Sequence, residues 1–244
     1  MHEPDPAESK GESSDAPRQR VRVTWALPAD ADDAPPSTQV VVLVWCLWLA
    51  GAWGVSMLLS SSVVAARWLV VTSVVGLMLV WPAARLSEGR ERVTMPGVLV
   101  EWLCLVLVFQ AVIWPLRIIS DWRMDQTAWL DGAVAAWSLL TAAVVAMGMQ
   151  FRGAGARMAA MVLCVLVVLG EPMVLALAAT VQGAGTLWEM RLTPLPTVWA
   201  LAQPIADVSL GAWPARIMVV GVAAVAAWVA VGVVMAVSGR GRRG

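Results

Sequence analysis

The sequence predicts an all-α fold, a polytopic membrane bundle of six transmembrane helices with a disordered N-terminal tail. Three observations carry this. Six apolar stretches lie between Val40 and Ser238, each close to the 20 or so residues whose helical rise matches a hydrocarbon core about 30 Å thick. Of the 244 residues 59% are hydrophobic and only 14% charged, against about 25% charged in soluble domains. The acids are also unevenly spread, with eight of 17 falling between Glu3 and Asp33, ahead of the first apolar stretch.

Residues 1 to 38 hold six prolines among acids, serines and alanines, a mixture with too little apolar surface to offset the entropy of ordering. This segment is expected to be a disordered cytoplasmic tail. Its acidic start lacks the basic n-region and short apolar h-region of a signal peptide. Arginine and valine alternate from Arg18 to Trp25, so that run reads either as solvated juxtamembrane chain or as a strip lying on headgroups or a partner.

The spacing predicts spans at about 40–59, 63–82, 98–119, 128–149, 158–181 and 215–238. Only Ser60, Ser61 and Ser62 separate the first two, which must form a tight hairpin. The link from Ala83 to Gly97 carries Arg85, Arg90 and Arg92, and the link from Gln150 to Arg157 carries Arg152 and Arg157. Residues 239–244 form a basic C-terminus. Six spans put both termini and these two links on one side, with Lys10 and eleven arginines against five arginines opposite. The positive-inside bias then places both termini in the cytoplasm. Size, this bias and the lack of an organelle signal point to the inner membrane of a bacterium.

The connection from Gln182 to Pro214 is long yet apolar. Its prolines cut it into short pieces, and Trp188, Trp199 and Trp213 are spaced along it. Tryptophan suits the membrane interface, which accommodates both its ring and its N–H. The segment reads as an interfacial or re-entrant helix pair, the other reading being an irregular loop on the bundle.

An ionisable group in hydrocarbon costs at least about 2.5–3.5 kcal/mol, so each one is a candidate functional residue. Glu171 lies within the fifth span, and Pro172 beside it removes an N–H and kinks the helix. Such a carboxylate can bind a cation or substrate, shuttle a proton, or pair structurally with a cation. Arg67, below the outer end of the second span, is its expected partner, with Arg117 and Arg216 nearer the surface. Glu101 sits one turn inside the third span, where it reads as a water-accessible carboxylate favoured by the helix dipole. Gln110, in mid-span, is expected to make an interhelical hydrogen bond of about 0.6–2 kcal/mol. Small-residue faces at Ala135, Ser138, Ala142 and Ala146, and at Ala223, Ala226 and Ala230, should let neighbouring helices approach closely.

Several chemistries find no support. The only histidine is His2 in the tail, and Cys46, Cys104 and Cys164 are far apart inside apolar stretches. No metal site, haem ligation or Ser-His-Asp triad follows from these residues. Neither Walker glycines, a dinucleotide fingerprint nor an HExxH pair occurs, and the basic residues form no nucleic-acid footprint. No cofactor is expected. An intramembrane enzyme built on Glu171, Asp121, Asp125 or Asp131 lacks a recognisable nucleophile and base.

Two readings remain. With the short basic link from Ser87 to Arg92 and the proline-rich segment from Thr193 to Pro204, the chain is similar in topology to the ABC-2 type permeases. These have six spans, cytoplasmic termini and a broken hydrophobic segment before the last span. The resemblance implies a permease-like transport subunit energised by a separate cytoplasmic ATPase or working with another membrane subunit. The alternative is a non-catalytic assembly factor or anchor whose acidic tail recruits a cytoplasmic partner. The bilayer is the partner common to both readings, and a homo-oligomer is compatible with either.

Overall fold

A computed structural model describes residues 38–59, 62–87, 94–151, 153–182, 193–203, 211 and 213–240. The expected tail up to residue 37 lies outside them, as do Arg18 to Trp25 and Arg242 and Arg243 of the basic C-terminus. Six helices are long and apolar enough to cross a membrane. They are α1 (Thr38–Leu59), a second span joining α2 (Ser62–Val75), a π-helical segment (Gly76–Val80) and α3 (Trp81–Ser87), then α4 (Met95–Ser120), α5 (Met124–Gln150), α6 (Ala154–Gln182) and α8 (Trp213–Arg240). Between the last two lies the short helix α7 (Pro194–Leu201). No strand occurs among the described residues.

Local chemistry sets several ends. The Thr94 hydroxyl caps α4 by accepting from the Gly97 N–H at 3.3 Å, with a proline in the first turn, where a missing N–H costs no helical bond. Asp121 ends the same helix in the left-handed conformation at φ 56°, which aspartate tolerates better than most side chains. Pro115 and Pro172 both lie inside continuous helices.

The second span departs from expectation. Instead of ending near Pro82 it runs through Ser87, so Arg85 belongs to a helix and not to the link. Arg85 is buried against Glu101, and this counter-charge lets an arginine continue an apolar span.

The π segment begins at Gly76, where two indoles of α1 reach it. Trp45 and Trp48 stand against Gly76, and a Cβ there would lie 2.7 Å from each ring. Trp48 Nε1 donates to the Thr72 carbonyl at 3.3 Å, and Trp45 Nε1 reaches the Leu105 carbonyl on α4 at 3.0 Å. With both indoles anchored, Gly76→Ala is expected to lower the stability of the purified protein by about 1–3 kcal/mol, the usual cost of overpacking. Thermal unfolding in detergent measures this; an unchanged midpoint would mean that α1 can move aside freely.

Helix α5 is the hub. It packs on α4, α6, α7 and α8 and on the lower half of the second span. In its most apolar 18-residue stretch 56% of the residues are buried, as in the second span, against 17% in α1, α6 and α8, which present most of their surface outward. Ser138, Ala142 and Ala146 of the expected small-residue face are buried here. The corresponding expectation for α8 is overturned, because Ala223, Ala226 and Ala230 are exposed. Helix α8 turns Ala224, Trp228 and Val231 inward instead, and Trp228 Nε1 donates to the Leu139 carbonyl of α5 at 3.0 Å. Lipid tails are as apolar as alanine or valine, so a small-residue stripe alone does not choose a face. An indole N–H that must find an acceptor does.

Candidate functional site

The ionisable and amide groups of the spans fall into three places. The first is the far end of the bundle, opposite the ends of α3 and α8, and it is organised around α7. Pro194 fits the opening turn because the first N–H groups of a helix have no intrahelical acceptor. Among the described residues Thr193, at the cap position, makes no capping bond with its own hydroxyl. Its backbone N–H donates to Glu171 Oε2 at 2.6 Å, which places a carboxylate at the positive end of the α7 dipole.

The other end of α7 is held by Gln126, which is buried in the first turn of α5. Its Nε2 donates to the Leu201 carbonyl at 2.6 Å and to the Gln203 carbonyl at 2.7 Å. These are carbonyls at the end of a helix, the groups left without intrahelical partners. Glu171 lies eleven residues before the end of α6, about 16 Å along its axis, whereas Gln126 lies beside the start of α5. Helix α7 therefore runs from beside Glu171 of α6 to beside the start of α5, packed on α2, α5 and α6. Of the expected interfacial or re-entrant pair, one helix, α7, is described; residues 183–192 and 204–210 lie outside the described residues.

Arg67 also belongs to this end, but not as Glu171's ion-pair partner. Among the described residues no salt bridge joins the two. The guanidinium lies over the Trp199 ring, 4.2 Å from its centre, and Trp68 meets the same indole edge-on at 5.7 Å. The Arg67 Nε is buried without a hydrogen-bond partner among the described residues. The aromatic face stabilises a cation here, and Trp199 on α7 separates the roles that a direct Arg67–Glu171 pair would have merged.

The second place is near the opposite surface. Glu101 is 3% exposed, which overturns its reading as a water-accessible carboxylate. Arg85 Nε donates to both carboxylate oxygens, at 2.9 and 2.8 Å, and Arg85 Nη2 pairs with Oε2. Trp81 Nε1 adds a bond to Oε1 at 2.9 Å. This pair, which joins the second and third spans, was not expected from the sequence, although both residues lie close to the link that joins their helices.

The third place is in mid-bundle. Gln110 makes the interhelical bond expected of it, donating from Nε2 to Asp131 Oδ2 at 3.2 Å. Asp131 sits two turns inside α5, half-buried, and its Oδ1 is buried without a hydrogen-bond partner among the described residues. Pro172 follows Glu171 in α6 and is half-buried. Cys164 is buried, Cys104 half-buried and Cys46 exposed. Among the described residues no group of three His, Cys, Asp or Glu side chains is placed to hold a metal ion.

The far end thus combines a short helix, a carboxylate at its N-terminal end, an amide at its C-terminal end and a cation on its aromatic face. Neither a family model, nor a curated protein, nor a solved structure matches this chain.

Proposed function

We propose that this multi-pass membrane protein is a permease-like transport subunit energised by a separate ATPase. The observation that supports the reading is α7, a short helix between the last two spans whose two ends are held by Glu171 and Gln126. Non-helical backbone at membrane depth is tolerated where it is buried in protein or lines a cavity, and discontinuous helices beside a carboxylate are a recurring device of transport proteins. A bundle that served only as an anchor has no need of such a segment. In this reading Glu171 and Pro172 form the movable joint between α6 and α7, Arg67 steadies α7 through Trp199, and Glu101 and Gln110 fix the helices against which they move. Both termini face the cytoplasm, where the ATPase would dock.

Purification from the native membrane followed by reconstitution in liposomes tests the reading. A Walker-motif ATPase should co-purify and hydrolyse ATP in a manner that depends on this subunit. Glu171→Gln keeps an acceptor oxygen for Thr193 but removes the charge, and should lower the coupled hydrolysis at least about tenfold, a difference of roughly 1.4 kcal/mol in the barrier, with unchanged folded yield. Stable association with assembly proteins and no ATPase would assign the chain to the non-catalytic class instead. Orientation is checked by labelling single cysteines at Asp121 and Arg242 with an impermeant maleimide, which should reach them from opposite sides.

A further inference from the structure

A groove of about 610 Å³ opens between α1 and α2, lined from Leu47 to Ser56 on α1 and by Trp68 and Thr72 on α2. Its walls are mainly apolar, with the Trp48 and Trp68 rings on either side. Beside Gly51 the space is open, since a Cβ there would meet nothing within 4 Å. The two helices form an antiparallel hairpin, so positions equally far from the turn between Leu59 and Ser62 lie at the same depth. Arg67 is five positions into α2 and is level with the upper end of the groove near Val55. From there the groove descends to Leu47, a further 12 Å or so along α1. That is close to the length of one leaflet's hydrocarbon, about 15 Å.

Arg67 precedes the groove residue Trp68 and does not itself line the groove. Its guanidinium lies on Trp199, which touches the groove residue Trp68, and among the described residues no acid pairs with it. A cation level with the upper end of an apolar slot, and next in sequence to one of its walls, is complementary to a molecule with an anionic head and an acyl chain. We propose that this groove is a specific site for one anionic phospholipid of the far-side leaflet, its phosphate on Arg67 and one chain between Trp48 and Trp68. The inference is independent of whether the chain transports anything, because it uses only the hairpin and the face of α7.

Native mass spectrometry in a non-ionic detergent tests it, with phosphatidylglycerol and phosphatidylcholine of identical chains as probes and inorganic phosphate as competitor. One phosphatidylglycerol should be retained per chain, at least about tenfold more tightly than phosphatidylcholine, as expected for a hydrogen-bonded charge pair. Arg67→Gln should bring phosphatidylglycerol down to the phosphatidylcholine level, while Arg67→Lys should keep the preference for the anionic lipid. Gly51→Leu, which fills the slot without touching Arg67, should weaken both lipids. Millimolar phosphate should displace neither. Equal binding of the two lipids to the wild-type chain would overturn the proposal, as would a preference that survives Arg67→Gln. Displacement by free phosphate would reduce the site to an anion site without a chain, and unaltered binding in Gly51→Leu would remove the groove from it. If Arg67→Gln does not fold, the lipid ratio in the wild-type chain and the Gly51→Leu result still decide.

Discussion

Replacing Glu101 by alanine is expected to destabilise the protein by about 3–5 kcal/mol, because it takes the counter-charge from a buried arginine. The Arg85 guanidinium donates to both oxygens of Glu101, and Trp81 spends its indole N–H on the same carboxylate. Arg85 is buried in the last turn of α3. Glu101→Gln retains an acceptor for Trp81 and should cost less than the alanine variant. The double change of Arg85 and Glu101 to leucine should recover most of the loss, since an apolar pair of similar volume avoids the desolvation of both charges. Thermal unfolding of the purified variants measures all three, and a double variant as weak as Glu101→Ala would show that the pair's value lies in its shape and not in its charge.

The second large effect is expected at Gln126. Its side chain donates two short hydrogen bonds to the carbonyls that end α7. Gln126→Ala leaves both carbonyls without these donors in a buried setting, at a cost of about 2 kcal/mol for α7. The Thr193–Gln203 segment should then exchange its amide hydrogens roughly thirtyfold faster, the factor to which 2 kcal/mol corresponds. Exchange in the middle of α5 and in α8 should be unchanged. A uniform rise along the whole chain would mean that Gln126 supports the bundle itself and not the docking of α7. Glu171→Ala should open the same segment from its other end, which would identify α7 as one unit held at two points.

The contacts that sequence spacing makes legible are those of neighbouring antiparallel spans. Trp48 and Thr72 lie equally far from the first turn, Arg85 and Glu101 flank the link between the second and third spans, and Gln110 and Asp131 flank the turn at Asp121. Folding a hairpin about its turn brings such positions to the same depth, so Gln110's interhelical bond was foreseeable. Arg85 and Glu101 escaped because an arginine close to a span end is usually a solvated anchor. The Arg67–Glu171 pairing failed for a different reason: both residues lie at the far end, but the side chain on which Arg67 rests belongs to α7, a hundred and more residues beyond Arg67 in the chain.

By itself the sequence determined the class of the protein and the number of helices long and apolar enough to span a membrane, because crossing a hydrocarbon layer demands a fixed length of apolar chain with its backbone bonds closed locally. Only the tertiary structure decided that α5 is the hub, that α8 presents Trp228 and not its alanine stripe, and that α7 enters the bundle between Glu171 and Gln126. In lipid both the outside and the inside of a bundle are apolar, so hydropathy fixes that a helix is embedded but not which way it faces. The choice of face falls to the few groups that need a specific partner, and those partners come from distant parts of the chain.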